Sequence, residues 1–265
     1  EYVTPNLSAW FRKNRSLGSR DRKIVAEILF VLIRFQETFS HLGQETLSER
    51  LNLLKEDAWP ELSNPSVEDC ARFLSLDLWI VEEWAETLSI EDLVQLANHL
   101  QSRAPIDIRV NPRKTTIKKL QQLLAKEKLK ASLIPDTSLG LRIEGRANLQ
   151  ALGSYRNGFF EVQDAASQIF CEALPIAPNA SIFDMCAGAG GKSLTLKALY
   201  PKTTILAQEP RSNAAKELRQ RAKRAGANII LAKPKEPVDI VIIDAPCSGL
   251  GRLRREPAIR FRWQK

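Results

Sequence analysis

The sequence predicts an α/β protein whose second half is built on a parallel sheet with helices on both faces. Three observations carry this. From Val162 onward apolar runs alternate with helical patterns: Ser181-Ile-Phe, Thr203-Thr-Ile-Leu-Ala and Val238-Asp-Ile-Val-Ile-Ile read as buried strands. Two of these runs end abruptly in an acid, a cysteine and glycines, at Asp184-Met-Cys-Ala-Gly and Asp244-Ala-Pro-Cys-Ser-Gly. Ligands of open α/β sheets bind beyond the carboxyl ends of such strands. Finally, 265 residues at 44% hydrophobic and 26% charged are enough for two small domains, or one large one, with a real core.

Taken in order, residues 7–36 read as helix. After Leu17-Gly18-Ser19-Arg20-Asp21-Arg22 the apolar positions Ile24, Val25, Ile28, Leu29, Leu32 and Phe35 recur at helical spacing, with Asp21 as N-cap or first-turn acid. Residues 41–100 read as acidic helices broken at Trp59-Pro60 and Asn64-Pro65, with Trp79 and Trp84 facing the core. Ile106-Asp-Ile-Arg-Val-Asn alternates as a strand that Pro112 ends. Thr115 or Thr116 then caps a basic amphipathic helix through Ile117, Leu120, Leu123, Leu124 and Leu129. Strand-like pieces at 131–134, 139–143 and 158–163 complete a small α+β module. The β/α alternation follows: helix 164–174, strand 181–186, a helix after Gly191, strand 203–209, helix 212–225, a short strand 228–231 and strand 238–244.

Charge is unevenly spread. Residues 41–100 carry 3 Lys/Arg against 13 Asp/Glu, a net of −10, while residues 101–265 carry 29 against 14, a net of +15. The basic portion holds the motifs, which points to an anionic polymer as partner. No apolar run approaches the ~18 residues of a membrane span, and the start Glu1-Tyr2-Val3-Thr4-Pro5 has no signal-peptide pattern. The expectation is a cytoplasmic protein. Cys70, Cys171, Cys186 and Cys247 form no C-x-x-C pair and lie far in sequence from His41 and His99, so no metal site is expected. Cys70 and Cys171 fall in helical segments and read as inert packing.

Gly188, Gly190 and Gly191 lie between a strand and its helix, where backbone must approach a ligand closely. A phosphate-cradling P-loop needs Gly six positions before the Lys of G-K-[ST], and Cys186 stands there. A dinucleotide fingerprint needs Gly or Ala where Ser193 stands. An S-adenosylmethionine loop survives both tests. It also calls for an acid at the end of the next strand to accept from two ribose hydroxyls, and Glu209 is placed for this. Beyond the fourth strand, Asp244 and Cys247 bracket Pro246, which stiffens the turn and gives both groups one support. Arg252, Arg254, Arg255 and Arg260 follow, with Arg262, Phe261 and Trp263. Arginine forks suit phosphates and aromatics stack on unpaired bases, so this run reads as an RNA contact.

These residues resemble the RsmB/NOP-type family of RNA (cytosine-5)-methyltransferases. The family's first motif, D-x-C-A-[AG]-P-G-G-K-[TS], is similar to Asp184–Ser193, with Ala189 in place of Pro. Its fourth, D-A-P-C-S-G-x-G-x-x-R-R-x-P, is matched from Asp244 to Pro257. Val162-Gln-Asp-Ala-Ala-Ser resembles the lead into the catalytic domain, Arg103-Ala-Pro-Ile-Asp-Ile-Arg-Val-Asn-Pro the start of the RNA-binding module, and Leu17-Gly-Ser-Arg-Asp-Arg a shortened NusB-like helical region. The resemblance implies a Rossmann-like class I methyltransferase sheet, C-terminally incomplete because the chain ends at Lys265 before the family's Thr-Cys-Ser nucleophile motif. It implies three domains, 1–65, 66–161 and 162–265. It further implies methyl transfer from S-adenosylmethionine to C5 of cytosine in small-subunit ribosomal RNA by a monomer. Asp184, Cys186, Ala187, Gly188, Ala189, Gly190, Gly191, Lys192, Glu209, Asp244 and Pro246 would hold the cofactor. Asp244 would also contact the base, and Cys247, whose family counterpart assists product release, would be the catalytic thiol. The acid usual after the third strand is missing from Ile230-Leu-Ala-Lys-Pro-Lys-Glu-Pro. The competing expectation is an RNA-binding protein that keeps the methyltransferase scaffold without turnover.

Overall fold

In the computed structural model residues 3–56, 62, 64–145 and 147–262 are described, and the chain groups into two compact units: Glu1–Ala104 with Ser248–Lys265, and Pro105–Cys247. Along the chain the two units meet at Ala104 and Cys247, whereas the domain expectation divides the chain at 65 and 161. Helices over 67–101 share a core with the N-terminal residues and the C-terminal tail, which a linear reading of the chain does not reveal.

The helical unit contains α1 (Val3–Lys13), α2 (Ser19–Arg34), α3 (Gln36–His41), α4 (Leu47–Glu56), α5 (Val67–Leu74), α6 (Leu78–Ala85) and α7 (Ile90–Gln101). The single helix expected over 7–36 is split, because the chain turns at residues 14–18 and restarts with Gly18 as N-cap. Asp21 is a first-turn acid there, its carboxylate accepting from the Gly18 amide at 3.1 Å. Ser66 and Ser89 cap α5 and α7 by accepting from the amides of Asp69 and Asp92. Cys70, Leu74, Ile80, Val81, Leu93 and Ala97 form the core, closed by Leu253 and Ile259 of the tail. Trp84 packs against it, but Trp79 is 38% exposed, because α6 buries Ile80 and Val81 and turns Trp79 outward. The break expected at Trp59-Pro60 and the base-stacking role expected of Trp263 lie outside the described residues.

The second unit opens with β1 (Ile106–Val110), α8 (Ile117–Lys126), β2 (Ala131–Leu133), β3 (Gly140–Ile143), α9 (Gly153–Arg156) and β4 (Phe160–Val162). The strands form an antiparallel sheet ordered β2-β3-β1-β4. Thr116 is the residue that caps α8, and Leu129 lies beyond the end of that helix while still packing on its core. Ile108, Val110, Leu120, Leu124, Leu141 and Phe160 are fully buried between sheet and helix.

Then come α10 (Ala165–Glu172), β5 (Ser181–Asp184), α11 (Gly191–Leu199), β6 (Thr204–Ala207), α12 (Ser212–Ala225), β7 (Ile230–Leu231) and β8 (Ile240–Ile242). These strands are parallel and ordered β7-β6-β5-β8. Separate apolar clusters cover the sheet, one through Leu194, Ala207, Leu218 and Ala222, the other through Cys171, Ile182, Leu196, Ile205 and Ile242. This is the Rossmann-like architecture expected, shorter in each strand than the apolar runs suggested. Because β6 lies on one side of β5 and β8 on the other, the winding reverses at β5, which places a crevice at its carboxyl end. Among the described residues β8 is an edge strand, with Val241 50% and Ile243 65% exposed. No helix among the described residues is long and apolar enough to cross a membrane.

Candidate cofactor and methyl-transfer site

The loop after β5 is held from both neighbouring strands. The Met185 amide donates to the Ile242 carbonyl of β8 at 2.9 Å, and the Ala187 amide donates to the Gln208 carbonyl beyond β6 at 3.0 Å. Gly190 has φ +82°, and a Cβ there would stand 2.7 Å from Leu218 Cγ, so this position needs glycine on both conformational and steric grounds. Gly188 is also left-handed, with φ +55°. The bend delivers the chain into α11, whose first-turn amides face the crevice end of the sheet.

Asp184, at the tip of β5, is 1% exposed. Its Oδ2 accepts from Ser193 Oγ at 2.6 Å, and its Oδ1 has no hydrogen-bond partner among the described residues. Burial pushes its pKa up, with the Ser193 hydroxyl and then Lys192 opposing that rise. Lys192 in turn forms an ion pair with Asp244, beyond β8. The tips of β5 and β8 are thus side by side, as the sequence reading required. Cys247 is exposed and Cys186 partly so, whereas Cys70 and Cys171 are buried, with desolvation raising the Cys171 thiol to about 11.

Glu209, beyond β6, has a side chain 2% exposed. The Arg211 guanidinium donates to it in bidentate fashion at 2.8 and 3.0 Å, and the Arg211 amide adds a third bond at 2.8 Å. These bonds from Arg211 are the main reason its pKa falls to about 2. A fully ionised two-oxygen acceptor beside the glycine bend fits a ribose diol, and the Arg211 side chain, 73% exposed, has room to swing away. The orphaned Oδ1 of Asp184 and the glycine-only bend also fit a bound cofactor. Ala187, Ala189, Gly191 and Lys192 complete the loop beside them, and Pro246 lies between Asp244 and Cys247.

The arginine run behaves otherwise than the sequence led us to expect. Arg260 is 2% exposed and donates to the Arg34 carbonyl at the end of α2, so its guanidinium caps a helix rather than facing a phosphate. Arg254 donates to the Arg103 carbonyl at 2.6 Å and contacts His99. Arg252 reaches Glu256 at 2.9 Å but is 62% exposed, and Arg255 is exposed. Arg252 and Arg255 remain surface groups; Arg260 does not.

Sequence reasoning missed a buried polar seam beneath the loop. Arg109 of β1 lies opposite Glu161 of β4, and Glu161, 2% exposed, accepts from Arg221 at 2.9 Å and Arg224 at 2.7 Å. Arg221 also donates to the Ala189 carbonyl of the glycine loop at 3.0 Å. Arg109 donates to Gln163 Oε1 at 2.8 Å, which also accepts from Thr195 of α11 at 2.7 Å. The available signal was charge at inward positions of alternating strands, Arg109 in Ile-Asp-Ile-Arg-Val and Glu161 in Phe-Phe-Glu-Val.

A Rossmann-like sheet with a glycine bend and an acid at the second strand's end defines a class I methyltransferase fold, here preceded by an antiparallel module. Residues 171–265 match the family model for 16S rRNA methyltransferase RsmB/F, and residues 77–150 match the RsmF/B-like ferredoxin-like domain. The chain belongs to the RsmB/NOP methyltransferase family. It is 30% identical over 197 residues to "Probable ribosomal RNA small subunit methyltransferase B" of Synechocystis sp., covering 69% of this chain and 44% of that protein. It is 28% identical over 168 residues to ribosomal RNA small subunit methyltransferase B of Pseudomonas syringae, covering 59% of this chain and 38% of the relative. The chain therefore spans less than half the length of these relatives. The crystal structure of PH0851 superposes with TM-score 0.76 at 19% identity, covering 96% of this chain and 72% of that one, a likeness of fold.

Proposed function

We propose that this chain carries the cofactor site and the RNA-facing module of an enzyme that transfers a methyl group from S-adenosylmethionine to C5 of a cytosine in small-subunit ribosomal RNA. The observation that supports it most is the joining of the β5 and β8 tips by the Met185–Ile242 hydrogen bond and the Lys192–Asp244 ion pair. That juxtaposition puts the glycine loop and the Asp244–Cys247 turn at one end of the sheet. Asp184, Cys186 to Lys192, Glu209 and Pro246 line the cofactor side. Bound S-adenosylmethionine supplies an electrophilic methyl group there.

C5 of cytosine is a poor nucleophile until a thiolate adds to C6 and pushes electron density onto C5. After methyl transfer a base takes the C5 proton, and the C6–S bond breaks to restore the ring. Asp244 is placed to hydrogen-bond the pyrimidine edge, and its ion pair with Lys192 orients the carboxylate. Cys247 supplies an exposed thiol on the same turn, in the product-release role that the family resemblance assigns. Arg252 and Arg255 are proposed to meet the RNA backbone.

Calorimetric titration with S-adenosylmethionine tests the cofactor half. One-site saturable binding that disappears in Gly190→Val is expected; a chain that takes up no cofactor at millimolar ligand refutes it. A second reading, an RNA-binding scaffold without turnover, is favoured by one observation: Ala232-Lys-Pro-Lys follows β7 with no acid to receive the adenine. Failure of a chain extended to include the Thr-Cys-Ser motif to transfer labelled methyl groups to unmodified rRNA, with cofactor bound, would support that alternative.

A further inference from the structure

The basic cleft at the far end of α12 lies apart from the glycine loop and shares with the site described above only the Glu161-bound Arg224. It has a volume of about 600 Å³ and is lined by Lys114, Tyr155, Arg156, Gln220, Lys223 and Arg224, with Asn157 at its edge. Among the described residues four cations and no carboxylate line it. Two of the four are fixed in place. Lys114 Nζ donates to the Asn157 carbonyl at 2.9 Å and the Arg224 carbonyl at 2.6 Å. The Arg224 guanidinium is held by Glu161 and lies 4.1 Å from the Tyr155 ring centroid. Arg156 and Lys223 are exposed at the rim, and neither has a carboxylate partner among the described residues.

A helix C-terminus normally repels an anion. Here that effect is answered: Lys114 covers the Arg224 carbonyl, and Asn111 Nδ2 donates to the Ala225 carbonyl at 2.9 Å. Glu161, buried behind the cleft, offers one negative charge to Arg221 and Arg224 together. A positive excess is left over.

We infer that this cleft is a second RNA contact, binding backbone phosphodiesters remote from the target cytosine. The inference rests on the RNA-methyltransferase reading and extends it. α12 runs 14 residues from the Glu209–Arg211 end of the sheet to the cleft, a length of about 21 Å. Only a nucleotide several steps along the strand from the target can reach it. The net charge of +15 over residues 101–265 favours a polymer over a small anion as the occupant.

The test compares wild type with Arg156→Glu/Lys223→Glu, both changes at exposed positions outside the cofactor site. The probe is an unmodified small-subunit rRNA transcript, titrated over a range of salt. Neutralised phosphates release counterions, so losing two contacts should flatten the plot of log K against log salt by about 2 and weaken binding at least tenfold. S-adenosylmethionine affinity should not change. Lys202→Glu/Lys235→Glu alters net charge equally at residues that do not line the cleft, and it should keep the wild-type slope. If the cleft variant and the control lose affinity equally with one slope, the cleft assignment fails while the RNA reading stands. If wild type binds no RNA even at low salt, both fail. Inorganic tripolyphosphate binding the cleft as tightly as RNA would mark a small-anion site and overturn the proposal.

Discussion

Glu161→Gln removes one negative charge from beneath two arginines while keeping the shape of the side chain. Glu161 is 2% exposed, and its partners Arg221 and Arg224 are only 13% and 17% exposed, so water cannot fully replace it. Breaking a buried ion pair from one side costs about 3–5 kcal/mol, because the remaining charge stays buried and unanswered. Gln keeps one acceptor oxygen and the guanidiniums keep some solvent, which places the expected loss near the lower end, about 3 kcal/mol. For a unit of this size that corresponds to a fall in melting temperature of roughly 10 °C. A second effect is local. Arg221 also holds the Ala189 carbonyl, and a charge-assisted hydrogen bond is worth about 1.5 kcal/mol or more, roughly a tenfold change in cofactor affinity. Thermal unfolding gives the first quantity and calorimetric titration the second. Arg221→Met should lower cofactor affinity similarly, and the two changes combined should fall short of additive. A melting temperature within about 2 °C of wild type, with cofactor affinity unchanged, would refute the claim that this seam supports the loop.

Other outcomes are expected. The Arg211 bonds hold the Glu209 pKa near 2, below its ordinary 4.5, so they stabilise the fold above about pH 4.5 and are lost as pH falls toward 2. Arg211→Gln should therefore flatten the acid limb of a stability–pH curve over that window; an unaltered limb would contradict it. Cys247 should react with a maleimide within the folded protein, while Cys70 and Cys171 should stay protected until denaturant is added, as peptide mapping by mass spectrometry will show. Arg260→Ala should lower the unfolding midpoint of the helical unit without altering the salt slope of RNA binding, since its guanidinium is committed to the α2 carbonyl end.

Much of the sheet was legible because an apolar run that ends in an acid leaves a distinct trace, although β8, expected as a buried strand, is an edge strand among the described residues with Val241 and Ile243 exposed. Ser181-Ile-Phe-Asp and Val238 to Asp244 are apolar runs stopped by acids, and both strands formed side by side. Glycine at 188 and 190 marked the bend for a different reason: the backbone there is left-handed. Pairwise partners were not legible. Arg260 sits among charges that look solvated, and only the fold brings the α2 carbonyl end to meet it. Trp79 looked like core because tryptophan usually is, yet the two residues after it filled the interior of a short helix. The grouping of 248–265 with the helical unit has no local signature, and inward charges at Arg109 and Glu161 hint at a seam without naming Arg221 as the partner, because each feature joins residues far apart in the chain.

The outer backbone groups of β8 are unpaired with any described strand, and Val241 and Ile243 present branched apolar side chains beside them. Such a border invites a neighbouring molecule to add a strand of its own. Preparations of this 265-residue chain by itself should therefore self-associate through this border at high concentration, and Val241→Lys or Ile243→Lys should keep them dispersed.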